Sequence, residues 1–221
     1  MTRIKLSKRL LAIAEMVDCN ILFDVGTDHA YLPCYLLDTN RIKKAYAGDM
    51  RVLPLEKAKE SIKSFNLEDK VIPVLSDGLD KCQDDVDGVT IAGMGSETIV
   101  EILKKKDLIH FKQIIVQANR RSDLLRQFIS EREYLITDEK VIRDHEHYYE
   151  IIAFSPLVKG KRLNEEEIIF GPINQSRRED SYLKYLNERK NKCLKILALS
   201  EQEDIKHLLA LINQELEKDR Y

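Results

Sequence analysis

The sequence predicts an α/β fold: a mostly parallel sheet with an antiparallel hairpin at one edge and a pair of antiparallel helices at the carboxyl end. Three observations predict it. Apolar runs of strand length alternate with amphipathic stretches of helical length between Ile21 and Ser130, the pattern of β/α repeats. Small, acidic or amide residues close those runs, at Asp24-Val25-Gly26, Gly48-Asp49, Ser76-Asp77-Gly78, Gly93-Met94-Gly95 and Gln117-Ala118-Asn119. Open α/β sheets bind their ligands at the carboxyl ends of the strands, so these residues describe one cleft. Beyond Arg162 the strand signals stop and helical periodicity takes over.

The elements follow in order. Ser7 caps a first helix running to about Val17, with Leu10, Leu11 and Ala14 on its buried side. Ile21 to Val25 is the first strand, and a helix begins near Ala30. The second strand, Lys44 to Gly48, ends at Asp49 and leads to a helix from Leu53 to Phe65 with Glu and Lys on its outer face. Val71 to Leu75 is the third strand. Gly88 to Ala92 is the fourth, entering the Gly93-Met94-Gly95 turn; the helix after it, Ser96 to Lys105, ends in cations as the helix dipole favours. Gln113 to Val116 is the fifth strand and Arg121 to Ser130 its helix. Tyr134 to Arg143 and Tyr148 to Phe154, joined by a short polar turn, suit an antiparallel hairpin. A short basic boundary, Pro156 to Arg162, separates a domain of residues 1–158 from an appendage of residues 159–221. There, Gln175 to Leu199 and Gln202 to Lys218 read as two antiparallel helices. Tyr182, Leu186, Cys193 and Leu197 share one face, Ile205, Leu208, Leu209, Ile212 and Leu216 the other, and Ser200 with Glu203 makes a capping-box signature between them.

The 221 residues are 43% apolar, enough for one sizeable domain plus an appendage. The net charge is only −2, so any nucleic-acid binding would rest on local patches. One such patch holds Arg177, Arg178, Lys184, Arg189, Lys190, Lys192 and Lys195, with Tyr182 and Tyr185 interleaved. It suits phosphates and stacked bases, and equally a solvated helix face. Arg3, Lys5, Lys8, Arg9, Arg120 and Arg121 extend a basic rim around the cleft. Cys19, Cys34, Cys82 and Cys193 are widely spaced with no CxxC, which argues against a zinc site or a disulfide framework and fits a reducing compartment. No metal is expected. No apolar run reaches membrane-spanning length and the basic start leads into an amphipathic helix, so a soluble, cytoplasmic protein is expected.

The strand ends carry the chemistry. Asp49, with Met50 beside it, closes the second strand, where an acid commonly accepts hydrogen bonds from both ribose hydroxyls of an adenosine-containing cofactor. Asp77-Gly78 is placed to reach the adenine, Gly26 permits close backbone approach, and Gly93 with Met94 borders the same cleft. Any one of these acids alone is more simply a loop or helix cap; Asp24, Gly26, Asp49 and Asp77 together favour a nucleoside cofactor. Asp28 stands where a dinucleotide fingerprint has its second glycine, and a carboxylate there repels a pyrophosphate. There is no Walker A lysine motif either. S-adenosylmethionine fits, because its sulfonium suits Asp24 and Asp28.

The run Asp24-Val25-Gly26-Thr27-Asp28-His29-Ala30-Tyr31-Leu32-Pro33, followed by Ile91-Ala92-Gly93-Met94-Gly95, resembles the bacterial tRNA (adenine-22-N1)-methyltransferase family, often called TrmK. The resemblance covers essentially the whole chain. Two positions depart: Gly95-Ser96 replaces a glycine pair, and Gln117-Ala118-Asn119 replaces Gln-Pro-Asn. The resemblance implies a Rossmann-like class I methyltransferase sheet, S-adenosyl-L-methionine as cofactor, tRNA as substrate, and a helical hairpin that helps to hold the tRNA. The reaction it implies is methyl transfer to N1 of adenine 22. Unpaired N1 carries a free lone pair and the leaving thioether is neutral, so positioning and desolvation can suffice, with the base unpaired or flipped. Three residues are the catalytic candidates under this reading. Asn119 would hydrogen-bond the adenine edge, and Tyr31 would stack on the base or close the pocket. Asp28 would accept from the exocyclic amine and steady the product's charge, or else orient the cofactor. A monomer is the expected state. Two other readings stay open: a methyltransferase acting on another RNA or a small molecule, and a non-catalytic RNA-binding protein that keeps the fold.

Overall fold

The computed structural model describes residues 4–218, so Arg3 of the expected basic rim lies outside the described residues. Five strands, β1 (Ile21–Val25), β2 (Lys44–Asp49), β3 (Val71–Leu75), β4 (Gly88–Met94) and β5 (Gln113–Ala118), pair in parallel. A hairpin of β6 (Tyr134–Asp144) and β7 (His147–Lys159) joins them through β7, which runs antiparallel to β5. The sheet order is β3-β2-β1-β4-β5-β7-β6. Strand order reverses between β1 and β4, which makes their carboxyl ends the switch point where such sheets hold ligands.

Helices cover both faces. On one, α1 (Lys8–Met16), α2 (Tyr31–Asp38) and α3 (Val52–Ser64) bury Ile13, Leu36 and Ile62 against the sheet. On the other, α4 (Ser96–Lys104) and α5 (Ser122–Glu131) bury Ile99, Leu125 and Phe128. Helix α1 is capped by Ser7 as expected, with its Oγ accepting from Leu10 N–H. Its buried face, however, is Ala12, Ile13, Ala14 and Met16, and Leu11 is exposed. Strand β4 runs two residues further than expected because a bulge between Ala92 and Met94 carries the ladder into the turn. Strand β7 also runs on to Lys159, with Pro156 buried inside it. Proline, which has no N–H to donate, sits there where the ladder with β6 shifts register.

The carboxyl part has four helices: α6 (Glu165–Phe170), α7 (Pro172–Arg177), α8 (Asp180–Leu197) and α9 (Glu203–Glu217). The single helix expected from Gln175 to Leu199 is broken at Arg178, which adopts a left-handed backbone, φ 47°. Arg178 donates from Nη1 to Glu215 Oε1 at 2.7 Å and from Nη2 to the Glu215 carbonyl at 2.9 Å, so the break turns its side chain inward. Helix α6 went unexpected although Asn164 and Glu167 form a reciprocal capping box. Conversely, the expected Ser200–Glu203 box does not form; the N-cap of α9 is Gln202, and Ser200 Oγ accepts from the Gln202 amide instead. The apolar faces of α8 and α9 are largely as expected: Tyr182, Leu186, Cys193, Leu211 and Ile212 close a third core with Val141 of β6 and Phe170 of α6.

The joint between the two parts is ionic. Arg126 of α5 is fully buried and donates to Glu139 Oε1 of β6 at 2.6 Å and Glu150 Oε1 of β7 at 2.7 Å. Glu139 also accepts from Ile173 N–H of α7 at 2.9 Å, and Glu150 from the Tyr185 hydroxyl of α8 at 3.0 Å. Five elements thus meet on three buried charges.

Candidate functional site

Two cavities adjoin at the switch point, both walled by Val25, Gly26 and Ala92. The larger, about 450 Å³, is lined by Asp49, Met50, Asp77, Gly78, Gly93 and Met94, so six of the eight expected cofactor residues share one wall with Gly26. The smaller, about 160 Å³, is lined by Asp24, Asp28, His29 and Tyr31, with Arg9 reaching in from α1.

The first turn is bent by its backbone. Gly26 has φ +73°, and its N–H donates to the Gly48 carbonyl at 2.8 Å. A Cβ at Gly26 would meet only the flexible tip of Met94, so it is the positive φ that calls for glycine at this turn. Asp28 and Ala30 both have positive φ, 46° and 54°. Two non-glycine residues in that region store strain, which is common where a loop aims functional groups. The loop presents Asp28 with 58% of its side chain exposed. Behind it the Tyr31 ring lies parallel to His29, centroids 5.2 Å apart, and Tyr31 is 40% exposed.

Asp49 is 5% exposed, yet it lines the larger cavity. Its Oδ1 accepts from Arg51 N–H at 2.9 Å, which fixes the carboxylate at the start of α3. Asp77 is half exposed and sits 3.4 Å from Lys105 Nζ. Asp24 is buried and accepts from Thr90 Oγ1 at 2.6 Å across β1 and β4. Burial pushes its pKa up to about 6, against the lowering effect of the Thr90 and Thr27 hydroxyls.

Asn119 is held from the β4 turn despite the alanine before it. Its backbone N–H donates to Met94 O at 2.9 Å and its side-chain Nδ2 to Gly93 O at 2.8 Å. Asn119 is exposed, with one amide N–H donated to the carbonyl. Ser96, the other departure, starts α4 and donates its hydroxyl to the Arg120 and Arg121 carbonyls, tying α4 to the end of β5.

From Asn119 a groove of about 680 Å³ continues along β7 and α8, lined by Arg120, Arg121, His147, Tyr148, Tyr149, Arg189 and Lys192. It sorts the basic patch expected from sequence. Arg189 and Lys192 line it, whereas Arg178 is tied to Glu215 and Arg177 to Asp138. Tyr182 does not serve as a stacking platform, being 2% exposed with its hydroxyl on Glu215, whereas Tyr185 is half-buried, lines the groove and donates its hydroxyl to Glu150. Within the groove Lys192 pairs with Glu188 and Arg121 with Asp123. Arg189 lies over the Tyr185 and Phe170 rings and donates to the Ile169 carbonyl, so its charge meets no carboxylate there.

A family described as "Methyltransferase domain" matches residues 6–152. The solved structure of M. capricolum TrmK in complex with S-adenosyl-homocysteine superposes with a TM-score of 0.85 at 32% identity, covering 96% of this chain and 98% of that one. The chain belongs to the TrmK family. The tRNA (adenine(22)-N(1))-methyltransferase of Bacillus subtilis (strain 168) is 32% identical over 157 residues, 69% of this chain and 66% of that protein. A Streptococcus pneumoniae protein solved in complex with S-adenosyl-L-methionine has a TM-score of 0.88 at 30% identity, covering 96% and 100% of the two chains.

Arg9 is the TrmK-fold residue that sequence reasoning placed only in a general rim. Its side chain hydrogen-bonds Gln117 at the far end of β5, a partner 108 positions away that no local pattern signals. Among the described residues no cluster of three or more His, Cys, Asp or Glu is arranged to hold a metal ion, and no helix is long and apolar enough to cross a membrane.

Proposed function

We propose that this protein transfers the methyl group of S-adenosyl-L-methionine to N1 of adenine 22 in tRNA. One observation carries the reading: a buried acid, Asp49, faces a cavity that opens through the Gly26 turn into a second, acid-lined cavity, and Asn119 stands at the start of a cation-bearing groove. The cavities fit the cofactor. Asp49 is fixed through one oxygen by Arg51 N–H, which leaves its other oxygen for ribose hydroxyls. Met50, Asp77 and Gly78 border the adenine end, and Gly93 and Met94 line the same cavity. Asp24 faces the positively charged end.

When bound, S-adenosyl-L-methionine supplies an electrophilic methyl group and leaves as a neutral thioether. The residues of this chain hold the acceptor in line with it. Asn119 gives one amide N–H to Gly93 O, which orients the group so that its oxygen is offered as acceptor to the exocyclic amine of adenine. Tyr31, backed by His29, offers an aromatic face for the flipped base. Methylation at N1 places a positive charge on the base, and the exposed Asp28 carboxylate steadies it. Arg120 and Arg189 suit backbone phosphates next to the target, with residues 159–221 contributing α8 to that wall.

The test uses purified protein, labelled cofactor and two tRNA transcripts that differ only in the base at position 22, followed by nucleoside analysis. The expected product is 1-methyladenosine from the adenine-22 transcript alone. Label in both transcripts would point to another RNA position. Cofactor binding with no transfer to any tRNA would favour the non-catalytic reading.

A further inference from the structure

We propose that Val52 and Leu53 form an apolar wedge that holds the RNA stack open next to the target adenine. The inference rests on the RNA-methylation reading above, and it adds a contact surface on the side of the cleft away from the cation-bearing groove.

Helix α3 begins immediately beyond the cofactor wall. Asp49, Met50 and Arg51 line the larger cavity, whereas Val52 and Leu53 line neither it nor the smaller one. Packing gives the two side chains no role in the core. The face that α3 buries is Pro54, Leu55, Ala58 and Ile62, while Val52 and Leu53 stay 59% and 77% exposed. Pro54 and Leu55 follow them directly and are buried, so the backbone that carries the exposed pair is anchored. The pair lines a surface hollow of about 790 Å³ together with Asp28, Arg51, Pro54 and Lys57. Neighbouring exposed apolar side chains on a folded surface mark a place that something else covers.

Place and charge together choose the occupant. In the sheet order β3-β2-β1-β4-β5-β7-β6, α3 follows β2, Asp28 follows β1 and Asn119 follows β5. The hollow and the groove along β7 and α8 therefore flank the switch point from opposite sides. The strands that carry them, β2 and β5, are three strand spacings apart, about 14 Å. Asp28 borders both the hollow and the smaller cavity, so the two are continuous. An RNA strand whose adenine enters that cavity passes over the hollow on one side and the groove on the other. Its backbone is anionic, and Arg51 and Lys57 stand beside the apolar pair as Arg120 and Arg189 stand in the groove. Taking a base out of a stack leaves its neighbour's face bare, and proteins that unstack bases fill such gaps with apolar side chains. A second copy of this chain is the competing occupant. Two side chains flanked by cations offer far less than the roughly 800 Å² per partner of a stable protein interface.

The test compares the full chain with Leu53→Ser on three readouts. A tRNA transcript with 2-aminopurine at position 22 reports unstacking through its fluorescence. Single-turnover transfer to the adenine-22 transcript reports the rate, and calorimetry with S-adenosylhomocysteine monitors the donor site. Leu53→Ser should keep its S-adenosylhomocysteine affinity, lose most of the fluorescence rise, and slow transfer about 10- to 100-fold, the factor that burying one leucine supplies. Leu53→Met keeps the apolar bulk and should retain both signals. A transcript lacking the base next to position 22, on one side or the other, is already unstacked there. One of the two should bring Leu53→Ser to within about threefold of the wild type, a rescue that a merely structural role would not give. Unchanged fluorescence and transfer in Leu53→Ser would overturn the proposal, as would a loss that neither transcript relieves. A concentration-dependent dimer of the wild type that Leu53→Ser abolishes would assign the surface to a second copy instead. No transfer by the wild type itself would remove the methylation reading, and the wedge with it.

Discussion

Replacing Arg126 with methionine tests whether the carboxyl-terminal helices are locked to the catalytic sheet by charge. The side chain is fully buried and makes hydrogen bonds of 2.6 Å to Glu139, 2.7 Å to Glu150 and 3.3 Å to the Ile168 carbonyl. Methionine fills much of the space but leaves two buried carboxylates, one holding Ile173 N–H and the other the Tyr185 hydroxyl. Breaking a buried ion pair from one side costs about 3–5 kcal/mol, a large part of the roughly 5–15 kcal/mol that holds a domain folded. The loss should depend on pH in a definite direction. Burial already raises the Glu139 pKa above its ordinary value, even with Arg126 beside it, and removing the cation raises it further. A carboxyl whose folded pKa lies above its unfolded one is favoured in its protonated form by the native state. The penalty is therefore complete only above that raised value and shrinks as pH falls below it. Urea unfolding of wild type and Arg126→Met at about pH 7.5 and about pH 5.5 measures both effects. A difference below about 1 kcal/mol at neutral pH, or a gap that widens on acidification, would refute the reasoning.

Three further outcomes concern the cleft. Asp49→Ala should weaken S-adenosylhomocysteine binding by about 1.5–3 kcal/mol by calorimetry, and unchanged affinity in the folded variant removes Asp49 from the ribose site. The Asp24 pKa is about 6 and its anion attracts a cationic ligand, so S-adenosylmethionine affinity should fall as pH drops through about 6. Asp24→Asn should flatten that profile; a flat wild-type profile would show that Asp24 does not sense the ligand's charge. Asp28→Asn should lower single-turnover transfer more than cofactor affinity, whereas a loss confined to affinity would place Asp28 in the cofactor site.

The sheet was legible because each parallel strand is a short, self-contained apolar run, and the residue after it ends in the cleft by topology alone. That is why Asp24, Gly26, Asp49, Asp77 and Gly93, scattered through seventy residues, line two adjoining cavities. What sequence could not show was long-range pairing between charged residues. Arg126, Glu139 and Glu150 carry no local signal of pairing, and only the packing of α5 under the hairpin turns them into a buried cluster. Arg9 is similar, since its meaning depends on Gln117 and Gly93. The carboxyl-terminal helices failed differently. Helical periodicity runs through Arg178 without interruption, but Glu215 draws its side chain inward and the backbone breaks there. The start of α6 was the one missed element with a local signal, because Asn164 and Glu167 have capping-box spacing.

The buried cluster also bears on the groove proposed to take RNA. Glu150 lines the groove and belongs to the cluster, bridging Arg126 below and the Tyr185 hydroxyl of α8. Arg189 stacks on that same Tyr185 ring. A chain of contacts therefore runs from α5 through Glu150 and Tyr185 to the cation facing the groove. On the opposite wall, Arg120 follows Asn119 directly, and Ser96 holds the Arg120 and Arg121 carbonyls. Both walls are thus positioned by the methyltransferase sheet, and the spacing between Asn119 and the groove's cations is set by packing. Deleting the carboxyl-terminal helices would remove Tyr185 and Ile173 from beneath buried carboxylates, so lost tRNA binding after such a deletion would mix lost contacts with a disturbed sheet. Exchanging Arg120 and Arg189 for alanine leaves the Arg126 hydrogen bonds in place, and it is this pair, not the whole appendage, that isolates the groove's own contribution to recognition.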